Sequence, residues 1–467
     1  MNDFSIILDC DSYKASHFLQ TPHNTTKIFS YIESRGGRSS ETVMFGLQYY
    51  LKKYLTTPIE YEDIVEAETF FKAHGEPFNK EGWLHIYRSH DGLLPVKIRA
   101  VPEGMVVPVL NALVTVENTC PHCYWVTSWI ETMLLRIWYP ITVATESREI
   151  KRVIMGFLKR TSDDPEGEIA FKLHDFGSRG VSSQESAGIG GAAHLVNFMG
   201  SDTVVGVLTA NRYYSSQMAG FSIPAAEHST ITSWGKDNEA EAYRNMLRNF
   251  AKPGALVAVV SDSYDIYNAC ENIWGGSLRQ EVIDSGATVV IRPDSGVPHE
   301  VVLKCLQLLD AKFGSTINTK GYKVLNNVRI IQGDGINRES INDILCYAVG
   351  SGFSATNIAF GMGGALLQQH NRDTQKFAMK CSYMEADGKG IRVFKNPITD
   401  PGKNSKAGVL DLIRLSSGKL STAAMVTDND GRPVLDHLSS SVMETVFENG
   451  EIKKTYTLDE VRKNATL

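Results

Sequence analysis

Between Phe171 and Gly364 the chain repeats one pattern: a short apolar run that stops at a Gly, Asp, Arg or His, followed by a stretch of helical composition. The runs are FKLHDFGSRG at 171–180, TVVGVLTA at 203–210, ALVAVVSDSYD at 255–265, ATVVIRPDSG at 287–296, VRIIQGDG at 328–335 and NIAFGMGG at 357–364. Runs this rich in Val and Ile, without polar alternation, fit parallel strands covered on both faces. Successive βα units of this kind predict an α/β barrel whose functional residues collect at the strand ends. Arg179, His228, Asp262, Arg292, Asp294 and Asp334 stand there, with glycines that leave backbone N–H groups open. Any single Gly or Asp ends a strand as a turn former. The series as a whole reads as one rim for a multiply phosphorylated ligand and its metal.

The ends of the chain lack this rhythm. Residues 1–150 mix strand candidates such as KIFSYIESR and LPVKIRAVPEG with helices around YWVTSWIETMLLRIW, and residues 380–467 carry hairpin turns at Asp387-Gly388, Asp430-Gly431 and Asn449-Gly450. The two ends are assigned together to a β-rich domain flanking a barrel of residues 151–379. The fold class is therefore α/β: an irregular barrel plus a β-rich domain built from both chain ends.

A chain of 467 residues that is 42% hydrophobic can bury a large core. A net charge of −6 argues against nucleic-acid or membrane-surface binding, so clustered basic residues would serve a local anion. The start MNDFSIILDCDSYK has Asp3, Asp9 and Asp11 where a signal peptide would be basic, and seven scattered cysteines suit a reducing compartment, so a cytoplasmic location is expected. Cys120-Pro-His-Cys123 lacks a second Cys pair at a suitable spacing and does not read as the helix-opening redox type, so the balance falls against a metal or redox role. The two N-x-T sequons are read as accidental. Gly188-Ile189-Gly190-Gly191-Ala192-Ala193 imitates a dinucleotide fingerprint but follows VSSQESA rather than a strand, so close helix packing is expected. No Walker phosphate loop and no nucleophile elbow is present.

KLHDFGSRGVSSQES, IPAAEHSTITSWGKD, VVSDSYDIYNACENIWG, IRPDSG, QGDG and DPGKNSKAG, together with DSYKASH at 11–17 and YTLDEVRKNA near the end, resemble the nicotinamide phosphoribosyltransferases, which are dimeric type II phosphoribosyltransferases. The resemblance covers nearly the whole chain. It implies transfer of phosphoribosyl from phosphoribosyl pyrophosphate to nicotinamide in NAD salvage, coupled to ATP hydrolysis and requiring Mg²⁺. Phe176 is similar to one wall of an aromatic clamp on the pyridine ring, with Tyr13 of a second subunit as the other. Asp202 and Arg292 match amide-reading positions, one accepting from the NH₂ and one donating to the oxygen. Asp294 resembles a residue that accepts from ribose hydroxyls, and Asp262 and Asp294 are the candidate metal acids.

By the same resemblance Arg35, Arg179, Arg372, Lys380, Lys395 and Lys403, with Gly333, Asp334, Gly363 and Gly364, serve the phosphates, the two later lysines coming from the neighbouring subunit. His228 matches the histidine that accepts a phosphoryl group from ATP, and Glu227 beside it is a candidate support. Ala378 departs from a hydroxyl in the family pattern, and the connection after Arg35 is shorter than in some animal members. Three other readings stay open at this point: a nicotinate-specific relative, with residue 202 as discriminator; a barrel isomerase or aldolase acting on sugar phosphates; and an extracellular signalling protein.

Overall fold

The computed structural model describes residues 5–400, 403–435 and 437–467, so Asp3 and the Pro401-Gly402 part of the DPGKNSKAG loop lie outside the described residues. The chain divides into two compact units. A sheet unit comprises Met1–Thr145, Arg212–Ser215 and His370–Thr466, and a barrel unit comprises Glu146–Asn211, Ser216–Gln369 and Leu467. No helix among the described residues is long and apolar enough to cross a membrane.

In the barrel unit, five of the six apolar runs are strands: Leu173–Asp175, Leu256–Val260, Thr288–Arg292, Val328–Gln332 and Ile358–Met362. The run at 203–210 is not. It lies in the helix Val204–Tyr213, and the strand at this point of the chain is the short Gly200–Ser201. A Val-rich run cannot be assigned by propensity when its neighbours decide otherwise. Here the small residues Thr203, Gly206 and Ala210 recur at helical spacing and are buried. A Cβ on Gly206 would stand 2.7 Å from the Gly191 Cα, so two glycines facing each other let this helix close on Gln184–His194. The glycine cluster at 188–191 is thus a packing surface, as expected.

The six strands are all parallel. They run in the order Gly200–Ser201, Leu173–Asp175, Ile358–Met362, Val328–Gln332, Thr288–Arg292, Leu256–Val260. The segment 221–226 bridges the two edges. Phe221 pairs with Gly200 and Ala225 with Ala258, both in parallel sense. Four backbone bonds seal the seam: Ser201 N–H to the Phe221 carbonyl at 3.0 Å, Phe221 N–H to Met199 at 2.8 Å, Ala258 N–H to Pro224 at 2.9 Å, and Ala226 N–H to Ala258 at 3.0 Å. Circuit order then equals chain order, and the sheet has no free edge.

Barrel interiors are ordinarily filled by branched side chains. Here Ala258 and Ala359 occupy inward positions among Val290, Ile331, Ile223 and Phe176, and the interior is hollow. The resulting cavity holds about 650 Å³.

The sheet unit carries a seven-stranded antiparallel sheet in the order Lys389–Arg392, Phe377–Ala386, Thr25–Ser34, Ala112–Asn118, Val96–Ala100, Glu444–Glu448, Glu451–Ile452. Both chain ends contribute, because Thr25–Ser34 pairs with Phe377–Ala386 and Val96–Ala100 with Glu444–Glu448. Asp387-Gly388 and Asn449-Gly450 turn its two hairpins with positive φ at all four residues, the pairing that suits the twist of the strands they join.

Candidate active site

Each barrel strand delivers a side chain or an open backbone at its carboxyl end. Phe176 follows Leu173–Asp175, Asp202 follows Gly200–Ser201, His228 follows the 221–226 seam, Asp262 follows Leu256–Val260, Arg292 closes Thr288–Arg292, Gly333 follows Val328–Gln332, and Gly363 follows Ile358–Met362. Parallel strands point their ends one way, so residues far apart in sequence share a rim.

Phe176, Asp202 and Arg292 border the same interior cavity. The Phe176 N–H donates to the Met362 carbonyl at 3.0 Å, and the ring lies over Gly361, where a Cβ would overlap it. Glycine is therefore required under the ring. The Ser222 hydroxyl donates to Asp202 Oδ1 at 2.6 Å. Arg292 Nη2 donates to Asp294 Oδ2 at 3.3 Å, and a Cβ on Gly333 would stand 3.1 Å from Asp294 Oδ1, so a side chain there would crowd the carboxylate that glycine leaves clear. Burial raises the Asp294 carboxyl pKa against the lowering effect of Arg292, and Asp262 and Asp334 add to the rise while His228 opposes it.

His228 opens the short helix His228–Thr232, and its Nε2 is 2.9 Å from Asp262 Oδ1. The imidazole is about half exposed at 47% while the carboxylate is 6% exposed, so a buried acid orients an accessible ring. Glu227 does not take that role. Its carboxylate accepts from the neighbouring Ser229 hydroxyl, a local turn contact at the helix start. Arg179 is exposed on the turn Ser178–Gly180, Asp334 is exposed with its carbonyl accepting from Gln332, and Gly364 has open space around it.

In the sheet unit, Lys380 lies on Phe377–Ala386 opposite Tyr31. Burial lowers its pKa, and although Glu131 opposes the fall, Arg35, Lys395 and Arg372 add to it. Four of the expected cations thus share one electropositive neighbourhood. Arg35 is tied to Glu33 at 3.1 Å, and Arg372 is 3.9 Å from Asp373. Lys403 pairs with Asp400 at 3.1 Å on its own loop. Tyr13 is 56% exposed on the turn Ser12–Leu19, whose Lys14 is buried against Glu131 at 2.7 Å.

Two residues of the site escaped the sequence reading. Asp175 is fully buried beneath the Phe176 turn, where its Oδ1 accepts from the Gly177 N–H at 2.7 Å, and burial pushes its pKa up to about 6. Ser222 was overlooked because nothing in SIPAAEH marks a hydroxyl that reaches back to Asp202. Asp175 did carry a signal, since an acid inside an otherwise apolar run is costly unless bonded.

A closed parallel barrel with an aromatic ring, an Asp–Arg pair and a His–Asp pair on its carboxyl rim defines an α/β-barrel enzyme for a polar substrate. Residues 171–451 match the model of the nicotinate phosphoribosyltransferase family, and residues 5–98 match that of the nicotinamide phosphoribosyltransferase N-terminal domain. A nicotinamide phosphoribosyltransferase of Xanthomonas campestris pv. campestris is 55% identical over 99% of this chain and 98% of its own length. One from Acinetobacter baylyi is 32% identical over 97% and 95%. Among solved structures, nicotinate-nucleotide pyrophosphorylase from Pyrococcus furiosus superposes with a TM-score of 0.61 at 16% identity, covering 100% of this chain and 96% of that one. Human nicotinic acid phosphoribosyltransferase gives 0.53 at 16% identity, covering 97% and 92%. The chain belongs to the nicotinate phosphoribosyltransferase family and, within it, to the nicotinamide phosphoribosyltransferases.

Proposed function

We propose that this protein transfers phosphoribosyl from phosphoribosyl pyrophosphate to nicotinamide, releasing pyrophosphate and nicotinamide mononucleotide for NAD salvage. The observation that carries the reading is the shared cavity of Phe176, Asp202 and Arg292: a flat apolar face flanked by one acceptor and one donor, the complement of an aromatic carboxamide. Stacking on Phe176 orients the ring nitrogen toward the ribose, and Tyr13 of a second subunit supplies the other face. Asp202 accepts from the amide, Arg292 donates to its oxygen, and Asp294 receives the ribose hydroxyls. Arg35, Arg179, Arg372, Lys380, Lys395 and Lys403, with the backbone donors at Gly333, Gly363 and Gly364, take the charge of the phosphates as the leaving group departs.

Asp262 and Asp294 are hard oxygen donors close enough that the Asp262 charge adds to the burial that raises the Asp294 carboxyl, a set that suits Mg²⁺. When bound, the ion neutralises phosphate charge. His228 is the phosphoryl acceptor from ATP: Asp262 holds Nε2, which leaves Nδ1 as the nucleophilic nitrogen, and the Nδ1–P bond forms as the bond to the departing ADP oxygen breaks. The enzyme works as a cytoplasmic homodimer, without nucleic-acid or membrane partners, in keeping with a net charge of −6.

Incubation with phosphoribosyl pyrophosphate, Mg²⁺ and either nicotinamide or nicotinate, with and without ATP, tests the reading. Nicotinamide mononucleotide is the expected product, stimulated by ATP, and exclusive formation of the nicotinate product overturns it. In His228→Ala the ATP stimulation and the acid-labile label from γ-labelled ATP both vanish while slow basal transfer remains. Equal labelling of this variant places the acceptor elsewhere.

A further inference from the structure

The sheet unit holds a second constellation far in sequence from the rim residues. His85, on the helix Lys80–Ser89, His90, which caps it, and Cys120 and Cys123, around the turn Pro121–Cys123, present one ligand atom each, all within 4.8 Å of one another. Tetrahedral zinc, with bonds of about 2.3 Å to sulfur and about 2.0 Å to nitrogen, sets adjacent sulfur and nitrogen ligands roughly 3.5 Å apart. Cys120 Sγ and His85 Nε2 are 3.5 Å apart. The Nε2 of His90 is buried with no hydrogen-bond partner, and Cys123 is fully buried as a free thiol. An orphaned buried imidazole nitrogen costs free energy unless something accepts its lone pair or takes its proton.

We propose that His85, His90, Cys120 and Cys123 form a structural Zn²⁺ site. Four protein ligands close the coordination sphere, so the site is a staple rather than a catalyst. The two-sulfur, two-nitrogen set selects zinc over the hard cations that serve phosphates. Its sequence form is H-x₄-H followed by C-x₂-C, the usual zinc-ligand spacings in reversed order, which is why a search for a second Cys pair passes over it.

The staple has a mechanical purpose. It joins the helix Lys80–Ser89 to the turn that leads into Val126–Trp129 and Glu131–Leu135. Those two helices hold the Tyr13 segment, through Ser128 on His17 at 3.3 Å, Glu131 on Lys14 at 2.7 Å and Thr132 on the Asp11 N–H at 3.1 Å. Trp83, Trp125 and Trp129 pack edge to face beside the ligands, so their fluorescence reports on the site. This inference does not rest on the transferase reading.

Full-length protein purified without chelator or polyhistidine tag is expected to carry about one zinc per chain by elemental analysis, and reduced apoprotein titrated with Co²⁺ is expected to show the visible bands of a tetrahedral thiolate complex. Cys120→Ser and, separately, His85→Asn lose most of the zinc and the cobalt bands. Chelation lowers the melting temperature and shifts the tryptophan emission of the wild type, and changes neither in Cys120→Ser. Reduced wild type that binds neither metal at stoichiometric level, or protein isolated with a Cys120–Cys123 disulfide in place of metal, overturns the proposal. So does full zinc occupancy in both variants.

Discussion

In the proposed reading, Asp202 selects the pyridine substituent by charge. A carboxylate near the 3-position accepts an amide N–H and repels a second carboxylate, a penalty that grows as bound substrate excludes water. In Asp202→Ser the fixed charge is gone while Arg292 remains to pair with an acid, so the ratio of kcat/KM for nicotinamide over nicotinate is expected to fall at least about tenfold, worth about 1.4 kcal/mol. An unchanged ratio in a folded variant moves selectivity to the shape of the cavity. Asp175 makes a different kind of statement, about stability. Its carboxyl titrates near 6 in the folded protein against 3.8 as its ordinary value, so the native state holds the proton more tightly than the unfolded chain. The sign follows from linkage: stability contributed by the protonated form is fully present below about pH 4 and is lost as pH rises to about 6, up to about 3 kcal/mol in all. Asp175→Asn keeps an oxygen for the Gly177 N–H and removes the titration. Urea unfolding at a series of pH values should show this part of the decline in the wild type and its absence in the variant.

At the scale of elements, the barrel depends on how closely its covering helices approach. The Gln184–His194 and Val204–Tyr213 helices meet at Gly191 and Gly206 with no room for a methyl group. Gly206→Ala puts a Cβ 2.7 Å from backbone on the facing helix and is expected to destabilise the protein by about 1–3 kcal/mol, despite its better helix propensity. Gly350→Ala, in a helix with nothing within 4 Å of the added carbon, is the control, and it should raise stability or leave it unchanged in the same thermal melts. The same contact explains the one misread run. TVVGVLTA has strand composition, and its glycine and alanine at helical spacing acquire meaning only once the facing glycine is in place.

For the whole molecule, the proposed assembly puts the two walls of one clamp on different chains. Tyr13 belongs to the sheet unit and is exposed, and Phe176 belongs to the barrel unit. Mixing inactive Tyr13→Ala and Phe176→Ala proteins under subunit exchange should regenerate some sites with both walls and recover part of the activity. Verified heterodimers with no recovery would place the clamp within one chain. The sequence alone determined the barrel, because parallel strands buried on both faces must be apolar throughout and must end in turn residues, and it assigned both chain ends to one β-rich domain through turns such as Asp387-Gly388 and Asn449-Gly450, while the pairing of strands between the two ends came only with the tertiary structure. It also placed Arg179, His228, Asp262, Arg292, Asp294 and Asp334 at strand ends, since a strand end is a local property, whereas Phe176 and Asp202 were marked only by the family resemblance. Tertiary structure decided the rest: that 221–226 closes the circle, that Asp262 rather than the adjacent Glu227 holds His228, that Ala258 and Ala359 leave the barrel hollow, and that two histidines stand where Cys120 and Cys123 lacked partners. Each of these is a relation between side chains brought together by closure of the backbone, and distance in space is not encoded in spacing along the chain.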